Sequence, residues 1–244
     1  MSARAGPAEG LPEQLPERLP GRLPEWMEPL ARAAAGVRPE QLSRFLPPPP
    51  EESTRQSAVL MLFGEGPDGP DVLFIERAHD MRSHPGQPAF PGGAVDPGDA
   101  GPVAAALREA VEETGLEPSG VEVVATLPAL YLPPSGFVVV PVVAWWRKPS
   151  TVRAVDAAEV AGVVRVPLAE LIDPDNRLSV HHPSGYVGPA FRVRGLLVWG
   201  FTAGLVSRLL AFAGLERPWD AGRVEELPTP ALAPVRADGS DVRP

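Results

Sequence analysis

The chain contains no cysteine. That excludes a disulfide framework, a thiolate zinc site and a cysteine nucleophile, and it suits a reducing cytoplasm. Positive charge is scarce: 22 lysines and arginines stand against 31 aspartates and glutamates, a formal net charge of −9. Nucleic acid and anionic membrane both need basic surface, so neither is expected as a partner, while a local basic pocket for a small anion stays open. The start, MSARAGPAEGLPEQ, lacks the apolar stretch of a secretory signal. An uninterrupted membrane-length apolar run is also missing. The nearest, residues 196–215, carries Gly200 and Gly204 at GxxxG spacing but holds Arg208 well inside it. A charge there costs about 2.5–3.5 kcal/mol on the insertion scale, so a buried helix of a soluble core is expected. No P-loop, GxGxxG, HExxH or GxSxG pattern occurs.

What is present is unevenly spread. Of 33 prolines, 16 lie in residues 1–50 and 217–244. Leu-Pro recurs every four residues at Leu11, Leu15, Leu19 and Leu23, a frequency that breaks a continuous helix and favours an extended arm. Such an arm serves recognition, or stays loosely held, or hugs the core. A short helix is expected around EWMEPLARAAA, and PPPP at 47–50 reads as a stiff linker. The sequence therefore divides into an N-terminal arm with a short helix (1–50), a central domain (51–216) and a loose tail (217–244). In the middle, SAVLMLFGE and DVLFIERA are strand-like runs joined by the turn GPDGP. VEVVATL, FVVVPVVAWW, GVVRVPL and AFRVR read as further strands, with a long helix beginning near Leu197. The pattern predicts α+β packing, one mixed sheet set between helices.

Residues 103–114 follow a helical period, with Pro102 in the first turn and Gly115 as the stop. At about 100° per residue, Val103, Leu107 and Val111 make a stripe about 80° wide that is expected to be buried. Glu109, Glu112 and Glu113 span about 100° on the opposite side. The pairs Glu109–Glu112 and Glu109–Glu113 each repel by about 0.2–0.5 kcal/mol when exposed, and Arg108 offsets part of this by reaching Glu112. Three carboxylates on one spot suit a hard divalent cation such as Mg2+ or Mn2+, which supplies Lewis acidity to a phosphoryl oxygen and activates water. Read alone, REAVEE is equally a solvated helix face; its flanks, PGG at 91–93 and ETGL, add a close backbone approach and a sharp helix end.

Gly93, Arg108-Glu109, Glu112-Glu113 and Gly115-Leu116 resemble the Nudix box, G-x5-E-x7-R-E-U-x-E-E-x-G-U, with U aliphatic. Ala110 is a weak aliphatic, and the first acid, Asp99, precedes Arg108 by eight intervening residues instead of seven. Asp99 is open to two roles, metal ligand or helix N-cap. The resemblance implies an α/β/α sandwich with the catalytic loop and helix at 90–116. It also implies water attack on the pyrophosphate of a nucleoside diphosphate derivative, with divalent metal. By positional match Glu109 and Glu113 are metal ligands, Glu112 is a ligand or the water-activating base, and Arg108 orients the glutamates, a task its fork suits better than a lysine would.

Upstream, LFIERAHDMRSHPGQPAFPGG (73–93) resembles the extra motif of the coenzyme A pyrophosphatase branch through Arg77, Arg82, Gly86, Phe90, Pro91, Gly92 and Gly93. The Asp99 spacing is also that branch's pattern, whereas Pro88 replaces an aliphatic residue. YLPPSGFVVVPVVAWW and VWGFTAGLV are similar to the same branch. The resemblance implies a small coenzyme A-like nucleotide as substrate, held by Arg77, Arg82, Gly86, Phe90, Gly92 and Gly93, with His84 adding charge. His79 and the His181-His182 pair read as weaker candidates. A homodimer is the assembly left open. Competing readings are a Nudix enzyme acting on ADP-ribose or a nucleoside triphosphate, and a non-catalytic binding module. Intact glutamates argue against the last.

Overall fold

The computed structural model describes residues 23–43, 55–79, 85–133 and 135–228. The Leu-Pro repeats before Leu23, Arg82 and His84, the PPPP segment and the last residues fall outside them. At its centre lies an eight-stranded mixed sheet. Strands β1 (Arg55–Gly66) and β2 (Gly69–Arg77) form the antiparallel hairpin that GPDGP predicts, closing at Gly66 opposite Gly69. They then diverge. Two short strands, β3 (Pro88–Ala89) on β2 and β4 (Gly92–Ala94) on β1, fill the split as a wedge. Pro91 between them accepts the Leu60 N–H at 2.8 Å. Pro88 thus sits in a two-residue strand, where its missing N–H interrupts little pairing.

On its other edge β1 runs parallel to β7 (Phe137–Trp146), which also carries β5 (Val121–Thr126) and β6 (Leu130–Leu132). The outer partner of β2 is β8 (Val160–Pro167), followed by helix α4 (Leu168–Ile172). Helices α1 (Glu28–Gly36) and α2 (Pro39–Leu42) precede the sheet, and α3 (Pro102–Thr114) and α5 (Gly200–Phe212) cover it. Side chains alternate across a strand, and the two faces divide accordingly. Leu60, Leu62 and Leu73 pack against α3, while Met61, Phe63 and Phe74 pack against α1 and α5. The α+β sandwich with a mixed central sheet is therefore the fold.

Four expectations change. Residues 196–215 are not one helix: Leu196–Val198 is strand β11, and α5 starts only at Gly200, whose φ of 64° suits glycine. Among the described residues no helix is long and apolar enough to cross a membrane. A second sheet forms from β9 (Arg177–His181), β10 (Val187–Val193), β11 and β12 (Val224–Glu226), the last parallel to β9. Residues 217–228, expected to be loose, supply that strand and bury Leu227. The side chain of Arg177 is wholly buried between the Phe191 and Trp219 rings, donating to Ser207 and Glu216 at 2.6 Å each. Finally, α1 belongs to the central packing: Met27 and Leu30 are fully buried beneath α5.

Candidate active site

Proline starts α3 and Gly115, at φ 68°, ends it as expected. Its buried face differs from the expected stripe. Val103, Leu107 and Val111 are only half-buried, whereas Ala105, Ala106 and Ala110 are fully covered and Glu113 is 7% exposed. Alanines let the helix axis approach the sheet closely, and the side chain one turn beyond Ala110 is carried inward with them. Glu113 is therefore not on a solvent-facing side.

The wedge receives it. Gly92 donates its N–H to Glu113 Oε2 at 2.9 Å. At Gly93 a Cβ would run into the Glu109 carboxylate, and at Gly92 it would run into Ala58 O and Val59 Cα of β1. The PGG turn thus lets two carboxylates of α3 lie directly on backbone. Burial pushes the Glu113 carboxyl up to about 7 against the Gly92 hydrogen bond and the charge of Arg77, with Glu109 pushing it further up. Burial also raises Glu109, opposed by Arg108. Two mutually repelling, poorly solvated carboxylates gain by meeting a cation.

Arg108 organises the rim. Its Nε and Nη2 donate to the two oxygens of Asp99 at 3.1 and 3.0 Å, Nη1 donates to Glu109 and Glu112 at 3.0 and 2.9 Å, and Nη2 also meets the Ala94 carbonyl at 3.0 Å. Asp99 does not cap α3, whose N-cap is Gly101. Asp99 instead accepts from the Asp96 N–H at 2.8 Å and holds the guanidinium, and Arg108, first of all, keeps Asp99 below the usual carboxylate range. Glu112 is exposed and tied to Arg108.

Among the described residues no three histidine, aspartate or glutamate side chains are gathered closely enough to hold a metal ion. Glu109 and Glu113 fit one by their burial and their raised pKa values; Glu112 is turned toward Arg108. The charge of Arg77, on β2, acts on Glu113, and its Nε is buried without a hydrogen-bond partner among the described residues. Gly86, at φ 64°, makes the turn that returns its N–H to the Arg77 carbonyl at 3.1 Å. Phe90, expected at the substrate, is 3% exposed and packs on Phe74 at 5.2 Å between ring centroids. It anchors the wedge on the other face of the sheet. His181 ends β9 beside Glu226, and His182 bonds Ser184. The Ala94 carbonyl and Asp96 at this site carried no sequence signal, because a backbone oxygen and a loop acid look alike everywhere.

The NUDIX domain family model matches residues 54–186. Among curated proteins, "Uncharacterized Nudix hydrolase NudL" of Enterobacter sp. (strain 638) is 41% identical over 169 residues, 66% of this chain and 84% of that protein. The protein of that name in Escherichia coli (strain K12) is 39% identical over 169 residues, with the same coverage. Among solved structures, the Nudix hydrolase RenU of M. smegmatis is similar over 68% of this chain and 90% of its own, at 20% identity and a TM-score of 0.48.

Proposed function

The chain belongs to the NUDIX domain family, hydrolases of phosphorus anhydrides in nucleoside diphosphate derivatives that generally use divalent metal ions, and on that premise we propose that it cleaves coenzyme A and its thioesters. The products are adenosine 3′,5′-bisphosphate and 4′-phosphopantetheine or its acyl form. One water is consumed, one P–O bond of the anhydride breaks, and each product keeps one phosphoryl group of the pyrophosphate. The carrying observation is Arg77. It belongs to the 73–93 motif, its charge acts on Glu113, and its buried Nε has no hydrogen-bond partner among the described residues. A guanidinium so placed is suited to an anion lying over the glutamates.

Glu109 and Glu113 would hold the Mg2+ or Mn2+ ion, which supplies charge stabilisation at the phosphoryl oxygens and lowers the pKa of water. Arg108 fixes Glu109 and Glu112 in place. Glu112, the exposed member of the three, rests one carboxylate oxygen on Arg108 and is the side chain assigned to accept a proton from water. Gly92 and Gly93 admit the carboxylates, since a Cβ at either would meet Glu109 or β1. The test is a substrate panel of coenzyme A, a thioester, dephospho-coenzyme A, ADP-ribose and a nucleoside triphosphate, each with magnesium or manganese and with product masses read directly. Preference for ADP-ribose over coenzyme A would overturn the substrate and leave the hydrolase chemistry standing.

A further inference from the structure

A cavity of about 160 Å³ opens on the other face of β2, lined by Glu76, His79, Gln87, Pro88, Leu197 and Trp199 among others. Successive residues of a strand point to opposite faces. Glu76 therefore looks into this cavity while Arg77 looks toward Glu113, and one strand's thickness separates the two sites. Sites for whole small ligands run to about 300–1,000 Å³, so this cavity has room for one ring of a larger molecule. Its walls suit a flat ring. Trp199 is half-buried and stacked on His182, with centroids 6.1 Å apart and planes 20° from parallel. Prolines and leucines supply apolar contact. The His79 ring lies where any Cβ at Gly86 would fall, and its Nε2 is 3.4 Å from Glu76 Oε1. Glu76 is the carboxylate in this wall, half-buried and able only to accept when ionised.

We propose that this cavity takes the adenine ring of the substrate, with Trp199 as the stacking platform and Glu76 accepting from the amino edge of the base. The inference rests on the coenzyme A reading for the identity of the base. An aromatic platform gives binding that a π-face of any base can use, and the carboxylate selects rings that offer an N–H. The ribose and phosphates then leave the cavity around the wedge toward Arg77 and Glu113.

The experiment measures binding of AMP, adenosine 3′,5′-bisphosphate and 4′-phosphopantetheine to the full chain by calorimetry without added metal. Trp199→Ala is expected to weaken both adenine ligands about five- to a hundredfold and to leave 4′-phosphopantetheine unchanged. Trp199→Phe keeps a ring and is expected to retain most of the affinity. It also provides a readout if the alanine variant does not fold, since AMP should quench tryptophan emission in the wild type and not in Trp199→Phe. Unaltered AMP affinity in Trp199→Ala, or quenching that survives in Trp199→Phe, overturns the assignment. Weakening confined to 4′-phosphopantetheine overturns it too, and gives the cavity to the other arm of the substrate. Because these titrations need no turnover, a chain that hydrolyses coenzyme A yet fails them loses only the cavity assignment. A chain that passes them yet leaves coenzyme A intact loses only the substrate reading.

Discussion

The Glu113 carboxylate accepts the Gly92 N–H at 2.9 Å, joining α3 to the wedge that splits β1 from β2. Glu113 is buried there, and its pKa is pushed up to about 7 from 4.5. The folded chain therefore binds this proton more tightly than the unfolded chain does. Its stabilising contribution is complete below about pH 4.5 and is lost as pH rises through about 7, a difference of about 3 kcal/mol at 1.36 kcal/mol per unit. The metal-free Tm is thus expected to fall between about pH 5 and pH 8, and Glu113→Gln should flatten that fall while reducing turnover by orders of magnitude. A Gln variant with the wild-type slope would remove Glu113 as the cause. Glu112→Gln, altering an exposed side chain, should lower turnover with little change in Tm.

With Glu113 in the proposed ligand set, divalent-ion binding displaces the same proton. Affinity for magnesium or manganese is expected to rise about tenfold per pH unit below about 7 and to level above it. Calorimetric titrations at three pH values check this, and a flat profile would take Glu113 out of the ligand set.

Adjacent glycines should fail differently. In Gly92→Ala the new methyl meets the Ala58 carbonyl and Val59 Cα, which are backbone and cannot yield. A loss of about 1–3 kcal/mol of stability is expected, as for overpacked cores. In Gly93→Ala the obstacle is the mobile end of Glu109. Denaturant midpoints should hardly move, while the metal concentration needed for half-maximal activity rises. Equal destabilisation of both variants would contradict the wedge geometry.

Arg108→Lys keeps the charge and loses the fork. One ammonium cannot serve Asp99, Glu109, Glu112 and the Ala94 carbonyl from the same position. The expected result is a fall in kcat of about a hundredfold, as for a small misplacement of catalytic groups, with KM nearly preserved. A change in KM alone would make Arg108 a substrate contact.

The charge of Arg77 is felt at Glu113, which favours the pyrophosphate over the 3′-phosphate as its target. Arg77→Ala should therefore weaken coenzyme A and dephospho-coenzyme A equally, by about ten- to hundredfold in kcat/KM. A loss confined to coenzyme A would place Arg77 at the 3′-phosphate instead.

The helix at 102–114 was legible because proline and glycine bracket it, and the strands because their β-prone apolar runs end at turn residues. The buried face of α3 was not, since a wheel weighs valine and leucine above alanine. Here small size decides: Ala106 and Ala110 set how near the helix can come, and nearness carries Glu113 inside. Residues 196–215 look like one element by hydrophobicity, and only the backbone angle at Gly200 cuts them into strand and helix. The second sheet left still less trace. Its strand β12 pairs with β9 across more than forty residues of chain, and its key side chain is an arginine, which sequence habit places at the surface.

That arginine shows that kinship and self-sufficiency have different limits. The stretch shared with the family runs from 54 to 186, yet a chain trimmed to it would strip Met27 and Leu30 from one side of the sandwich. On the same side Arg177 would lose Glu216, Ser207 and the Trp219 ring, stranding a charge that the interior tolerates only in their company. A piece able to stand alone has to keep what these residues shelter, from Met27 to Trp219.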